Sequence, residues 1–161
     1  MVAVATLVLS TAGCSSHHDT SPAASAAATA TWAKSTGLGS SIASLRADLA
    51  KSTAQLNSPS STVNKDHTIC AAMLLDADQA NSNLPAPDGT LSSLLSKAYG
   101  DIGTAANACY AAAANHAKLP AFDAAKSSAL SYFAEAEARA QELVGPGALP
   151  TGTTAPVDSG V

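Results

Sequence analysis

Large side chains and charge are both scarce in this chain, and each shortage excludes something. Aromatic residues make up only 4% of the 161 positions: Trp32, Tyr99, Tyr110, Phe122, Tyr132 and Phe133. With so few rings, the core has to be assembled from Ala and Leu. Alanine is the best helix former but buries little apolar area, so the expected core is thin and helical. Charged residues amount to 12%, about half of the ~25% of an average soluble domain. The surface therefore falls to Ser, Thr, Asn and Gln. The eight Lys and Arg residues are scattered singly from Lys34 to Arg139, against a net charge of −4. Nucleic-acid binding needs a concentrated basic footprint that displaces counterions, and electrostatic docking onto anionic lipid needs the same. Both classes are excluded.

Patterns that carry chemistry are missing too. The chain holds no Glu-x-x-His pair, which closes the route to a di-iron bundle. It holds no Gly-x-Ser-x-Gly elbow and no Gly-rich phosphate loop. Gly100 and Gly103 fall inside a helical pattern, where they are expected to let a neighbouring helix approach closely; a ligand gap is the alternative. Asp76 and Asp78 lie two apart and point to different helix faces, as do Glu135 and Glu137. They read as solvated positions, not as an acid/base pair. The expectation is a non-enzymatic protein without a cofactor.

What is present begins at the N-terminus. Val2 to Leu9 form an apolar run followed by Ser10-Thr11-Ala12-Gly13-Cys14. The run is too short to span a bilayer core of ~30 Å and fits the hydrophobic region of a signal peptide. Thr11-Ala12-Gly13-Cys14 resembles the bacterial lipobox, although Thr11 stands where an aliphatic residue is usual. The resemblance implies cleavage before Cys14, diacylation of that cysteine, and attachment to the extracytoplasmic face of the cell membrane. No Lys or Arg precedes the apolar run, which points to an in-frame start upstream. The reading divides the chain into a signal peptide (1–13), a lipidated flexible tether (14–30), a helical domain (31–145) and a disordered tail (146–161).

Between Trp32 and Gly145, apolar residues recur at helical spacing in four stretches separated by prolines. Leu38, Ile42, Leu45, Leu49 and Leu56 form the first stripe; Val63, Cys70, Met73, Leu74, Ala77 and Leu84 form the second. The third carries Leu91, Leu95, Ala98, Ile102, Ala105, Cys109 and Ala112. The fourth opens with Pro120, carries Phe122, Ala125, Ala129, Phe133, Ala136, Ala140 and Leu143, and stops at Gly145. Four amphipathic helices with short connections predict an all-α, antiparallel four-helix up-and-down bundle. Trp32 is expected to cap it.

With Cys14 assigned to lipid, Cys70 and Cys109 remain as an even pair in an exported chain. In a hairpin turning near Pro85 to Gly89, they sit at similar heights and face one seam, which predicts a disulfide. Such a bridge stabilises a fold by roughly 4 kcal/mol in the chain-entropy model, a large share for a thin core. The alternative is a Cys2His2 metal site. His67 lies three residues before Cys70 and His116 seven after Cys109, both spacings that return to the same face. The oxidising compartment favours the disulfide.

Trp32, Leu45 to Leu49, Cys70, Pro85-Ala86-Pro87-Asp88, Tyr99 and Cys109 together resemble a group of exported actinobacterial proteins of unassigned function. The resemblance implies a disulfide-bonded helical bundle and supplies no activity. The function expected is a membrane-anchored binding or interaction module with a protein or envelope partner. The alternative is a small-ligand or metal carrier using His67 and His116.

Overall fold

The computed structural model describes residues 22–145. Cys14, the expected signal peptide, the expected tether as far as residue 21 and the expected tail from residue 146 lie outside the described residues. Those described form an all-helical, bundle-like fold without a strand: α1 (Pro22–Ser35), α2 (Leu38–Leu56), α3 (Val63–Asn81), α4 (Gly89–Ala114), a 3-10 turn (His116–Lys118) and α5 (Leu119–Val144).

Local signals set most boundaries. The Thr62 hydroxyl accepts the Lys65 N–H at the start of α3, and the Asp88 carboxylate accepts the Leu91 N–H at 2.7 Å at the start of α4. Each satisfies a backbone donor that the first helical turn leaves open. Pro120 occupies the first turn of α5, and Gly145, at φ 87°, ends it. Short links join α2 to α3, α3 to α4 and α4 to α5, so consecutive helices fold back on one another. Helix α4 is central, packed along both α3 and α5, while α2 packs mainly on α3. Every residue of the first and third expected stripes is buried, from Leu38 to Leu56 in α2 and from Leu91 to Ala112 in α4. Phe122 and Phe133 of α5 fill the centre, with Tyr99 meeting Phe133 edge-on at 5.9 Å between ring centroids.

The structure departs from the expected outline at two places. The stretch from Pro22 to Ala30, expected as flexible tether, is the first part of α1. Its alanines favour helix, and Thr29 and Ala33 are buried where α1 lies along α5. Gly37, at φ 62°, then turns the chain into α2. A Cβ there would be strained by the positive φ and would meet Ser40 Oγ at 3.0 Å, so the kink needs glycine. Trp32 donates its Nε1–H to the Asn83 carbonyl at 3.1 Å and thereby ties α1 to the chain beyond α3. Val63 is the second departure. It continues the apolar stripe of α3, yet it is 45% exposed, because it is the first residue of the helix and lies past the packed layers.

Candidate functional site

Cys70 and Cys109 are joined by a disulfide between α3 and α4, with Cα atoms 5.8 Å apart. Both residues are almost completely buried. The two histidines do not converge on them as a ligand set. His67 lies against the Tyr110 ring, centroids 4.9 Å apart, and His116 Nε2 is 3.2 Å from the Leu56 carbonyl oxygen at the end of α2. The Cys2His2 alternative needs two thiolates, and the disulfide consumes both sulfurs. Among the described residues, no group of three or more His, Cys, Asp or Glu side chains is placed to hold a metal ion.

Polar chemistry concentrates instead along the seam between α2 and α3. Ser44 and Asp48 stand one turn apart on α2; Asp76, Gln79 and Asn83 follow one another along α3 and just past its end. With Ser40, most of these line a surface cavity of about 220 Å³ whose floor is Leu45 and Ala80. Asp48, with a side chain only 13% exposed, faces Asp76 across the seam. Burial first, and then Asp76, push its carboxyl above the ordinary carboxylate range; Lys51, 3.6 Å away, pulls the other way. Asp48 Oδ2 is buried with no donor. Like charges facing each other across the seam repel, which adds to burial in favouring the protonated form of Asp48. Asp76 therefore belongs to a carboxyl pair and is not simply solvated. Glu137 of α5 is not simply solvated either: Arg46 donates two hydrogen bonds to it from α2, at 2.8 and 2.9 Å.

On the other side of α3, Gly100 and Gly103 border a cavity of about 260 Å³ with Ala77, Asn81, Ser96 and Tyr99. A Cβ on Gly100 would meet nothing within 4 Å, and one on Gly103 would touch only Leu74 Cδ1 at 3.9 Å. The expectation that these glycines permit close helix approach therefore fails. They leave a notch. Burial pushes the Tyr99 hydroxyl up to about 12, so it stays protonated there.

A third cavity, of about 330 Å³, opens at the end of the bundle where α2 stops and α3 starts. Leu56, Val63, Ala112 and Ala113 provide apolar walls, and His116 and Asp66 provide polar ones. Asp66 is 5% exposed. Gln55 Nε2 donates to its Oδ1 at 3.1 Å, and the Ser61 hydroxyl makes a close hydrogen bond to the same oxygen. His116 stands out in the sequence; Asp66 and Asp48 do not. The available signals were slight: Asp48 flanks the Leu45–Leu49 stripe, and Asp66 falls in the first turn after a Ser-Ser-Thr helix start. Compared with known proteins, the chain matches no family model, no curated protein and no solved structure.

Proposed function

We propose that this chain is an exported lipoprotein, cut before Cys14, held by lipid at the extracytoplasmic face of the cell membrane, and acting there as a non-enzymatic binding module. In this reading α2 to α5 are the four helices of an antiparallel up-and-down bundle, and α1 joins that body to the anchor. The observation that carries the proposal is the buried Cys70–Cys109 disulfide. Structural disulfides persist in oxidising compartments, which fits the signal-like run and lipobox-like residues before Cys14. Polar cavities beside a cross-linked helical pair suit recognition of an envelope component by a body that keeps its shape. Among the described residues no helix is long and apolar enough to cross a membrane.

The test is labelling with radioactive palmitate and fractionation of cells expressing the chain or its Cys14→Ala variant. The expected result is labelled, membrane-associated wild type and an unlabelled variant released from the membrane with its disulfide intact. Equal labelling of the two would overturn the anchor at Cys14. A second reading, a small-ligand carrier, is favoured by one observation, the buried carboxylate in the cavity beside His116.

A further inference from the structure

Asp66 is the only charged residue in the buried core of the described residues. Taking a carboxylate out of water is costly unless partners replace the lost hydration. Asp88, the acid at the start of the next helix, shows full replacement: Arg139 donates to Oδ1 at 3.2 Å and to Oδ2 at 2.8 Å, and the Leu91 N–H donates to Oδ1. Asp66 has no such cation. Its two side-chain donors, Gln55 and Ser61, are neutral, and both go to Oδ1. Oδ2 accepts no hydrogen bond from the protein and, unlike the Oδ2 atom of Asp48, is not closed off from solvent. The N-terminus of α3 supplies about half a positive charge, which leaves part of the negative charge uncompensated. That remainder borders a cavity of about 330 Å³ with a half-exposed Val63 at its edge.

We propose that this end cavity binds a primary aliphatic ammonium group. An ammonium brings one positive charge and three N–H donors. Asp66 Oδ2 takes one of them, and the Ser58 and Thr62 hydroxyl oxygens of the same cavity, which already accept the Ser60 and Lys65 N–H groups, each keep a second lone pair for the others. The alkyl chain lies on Val63, Ala112 and Ala113. A guanidinium is the poorer fit. Its planar fork gains most from pairing with both carboxylate oxygens, and Oδ1 is already occupied. The proposal is independent of the lipid anchor.

Titration of the ¹⁵N-labelled full-length chain with n-butylammonium, followed by NMR, tests it. The expected outcome is saturable shifts confined to amides near 61–66 and 112–116. n-Butanol and n-propylguanidinium, of similar bulk, should bind about tenfold more weakly or worse. Asp66→Asn keeps the shape and removes the charge, so butylammonium saturation should disappear in it. If that variant does not fold, the ligand series on the wild type decides alone. Equal binding of butanol, or saturation that persists in a folded Asp66→Asn, overturns the proposal. Nα-acetyl-lysine methylamide is the last arm: tighter binding than butylammonium assigns the site to a protein lysine side chain, weaker binding to a free amine. Both outcomes support the ammonium site.

Discussion

The two seams that hold α3 are built on different principles. Against α4 it is held by apolar side chains and a covalent bond: Cys70 and Ala77 on one side, Ile102, Ala105 and Cys109 on the other. Against α2 it shares the apolar line of Leu45 and Leu49, but the edges of that seam are polar. Asp48 meets Asp76 there, serines and amides line a cavity, and Gln55 reaches Asp66. The first seam is locked by the buried bridge and resists opening even in a partly unfolded chain, although the notch beside Gly100 and Gly103 opens along it. The second can open locally at smaller cost, because α2 meets α3 over a smaller contact than α4 does and nothing covalent joins them. A thin, alanine-rich core thus yields one rigid block, α3 to α5, with a softer flank formed by α1 and α2.

The strongest way to break this contrast is to cut the covalent link. Replacing both cysteines, as Cys70→Ala with Cys109→Ala, should lower stability by about 4 kcal/mol for a loop of this length, the two residues being 39 positions apart. Urea unfolding followed by circular dichroism measures it. A loss below about 1 kcal/mol would show that the block is held by packing alone.

Next in size is the polar clasp within the rigid block. Asp88 caps α4 and is tied to Arg139 of α5, so Asp88→Ala should cost about 2 kcal/mol at neutral pH. The Arg139 hydrogen bonds hold the Asp88 carboxyl below its ordinary 3.8. A lowered carboxyl value means that the stabilisation is fully present above the unfolded value and is lost as pH falls through the folded one. The difference between wild type and variant should therefore be flat from about pH 5 to 8 and shrink below about pH 4. Thermal melts across that range check it, and a difference that grows on acidification would contradict the assignment.

The notch between α3 and α4 offers a gain in place of a loss. Gly100→Ala places a methyl group in open space inside a helix, so stability should rise by about 1 kcal/mol. A higher melting temperature is the readout. A lower one would mean that the notch is filled or packed against in solution.

The smallest effect belongs to the soft seam. Asp76→Asn removes the repulsion across from Asp48 and gives that carboxylate an amide donor, so stability at pH 7 should rise by a few tenths of a kcal/mol. The wild-type Asp48 carboxyl is raised above 3.8. The folded chain therefore holds that proton more tightly than the unfolded chain does, and wild type gains stability as pH falls through the raised value. The advantage of the variant should shrink over the same interval. A constant advantage from pH 4 to 8 would remove the carboxyl pair from the account of this seam.

Helices were legible wherever the apolar period was long and its stop signals were chemical. The α4 stripe from Leu91 to Ala112 and the Gly145 stop are both plain in the sequence, because a 3.6-residue period and a helix-ending glycine need no tertiary information. The first part of α1 was missed. Its hydrophobic pattern is nearly uniform, Pro22 to Ala30 looks like low-complexity linker, and only Thr29 and Ala33 bury a face on α5. The histidines were singled out for spacing along their own helices, which says nothing of Tyr110 or the Leu56 carbonyl.

By itself, the sequence determined an all-helical body, its main breaks, and the pairing of Cys70 with Cys109. Those features depend on local periodicity, proline and glycine stereochemistry, and the placement of two cysteines at matching heights on consecutive helices. Tertiary structure alone decided that Asp48 faces Asp76, that Gly100 borders a gap, and that Asp66 lies buried without a cation while Asp88 has one. The environment of a carboxylate depends on what a second helix brings within a few ångströms of it. The register between helices is fixed by the packing of the whole core, and no short stretch of residues contains it.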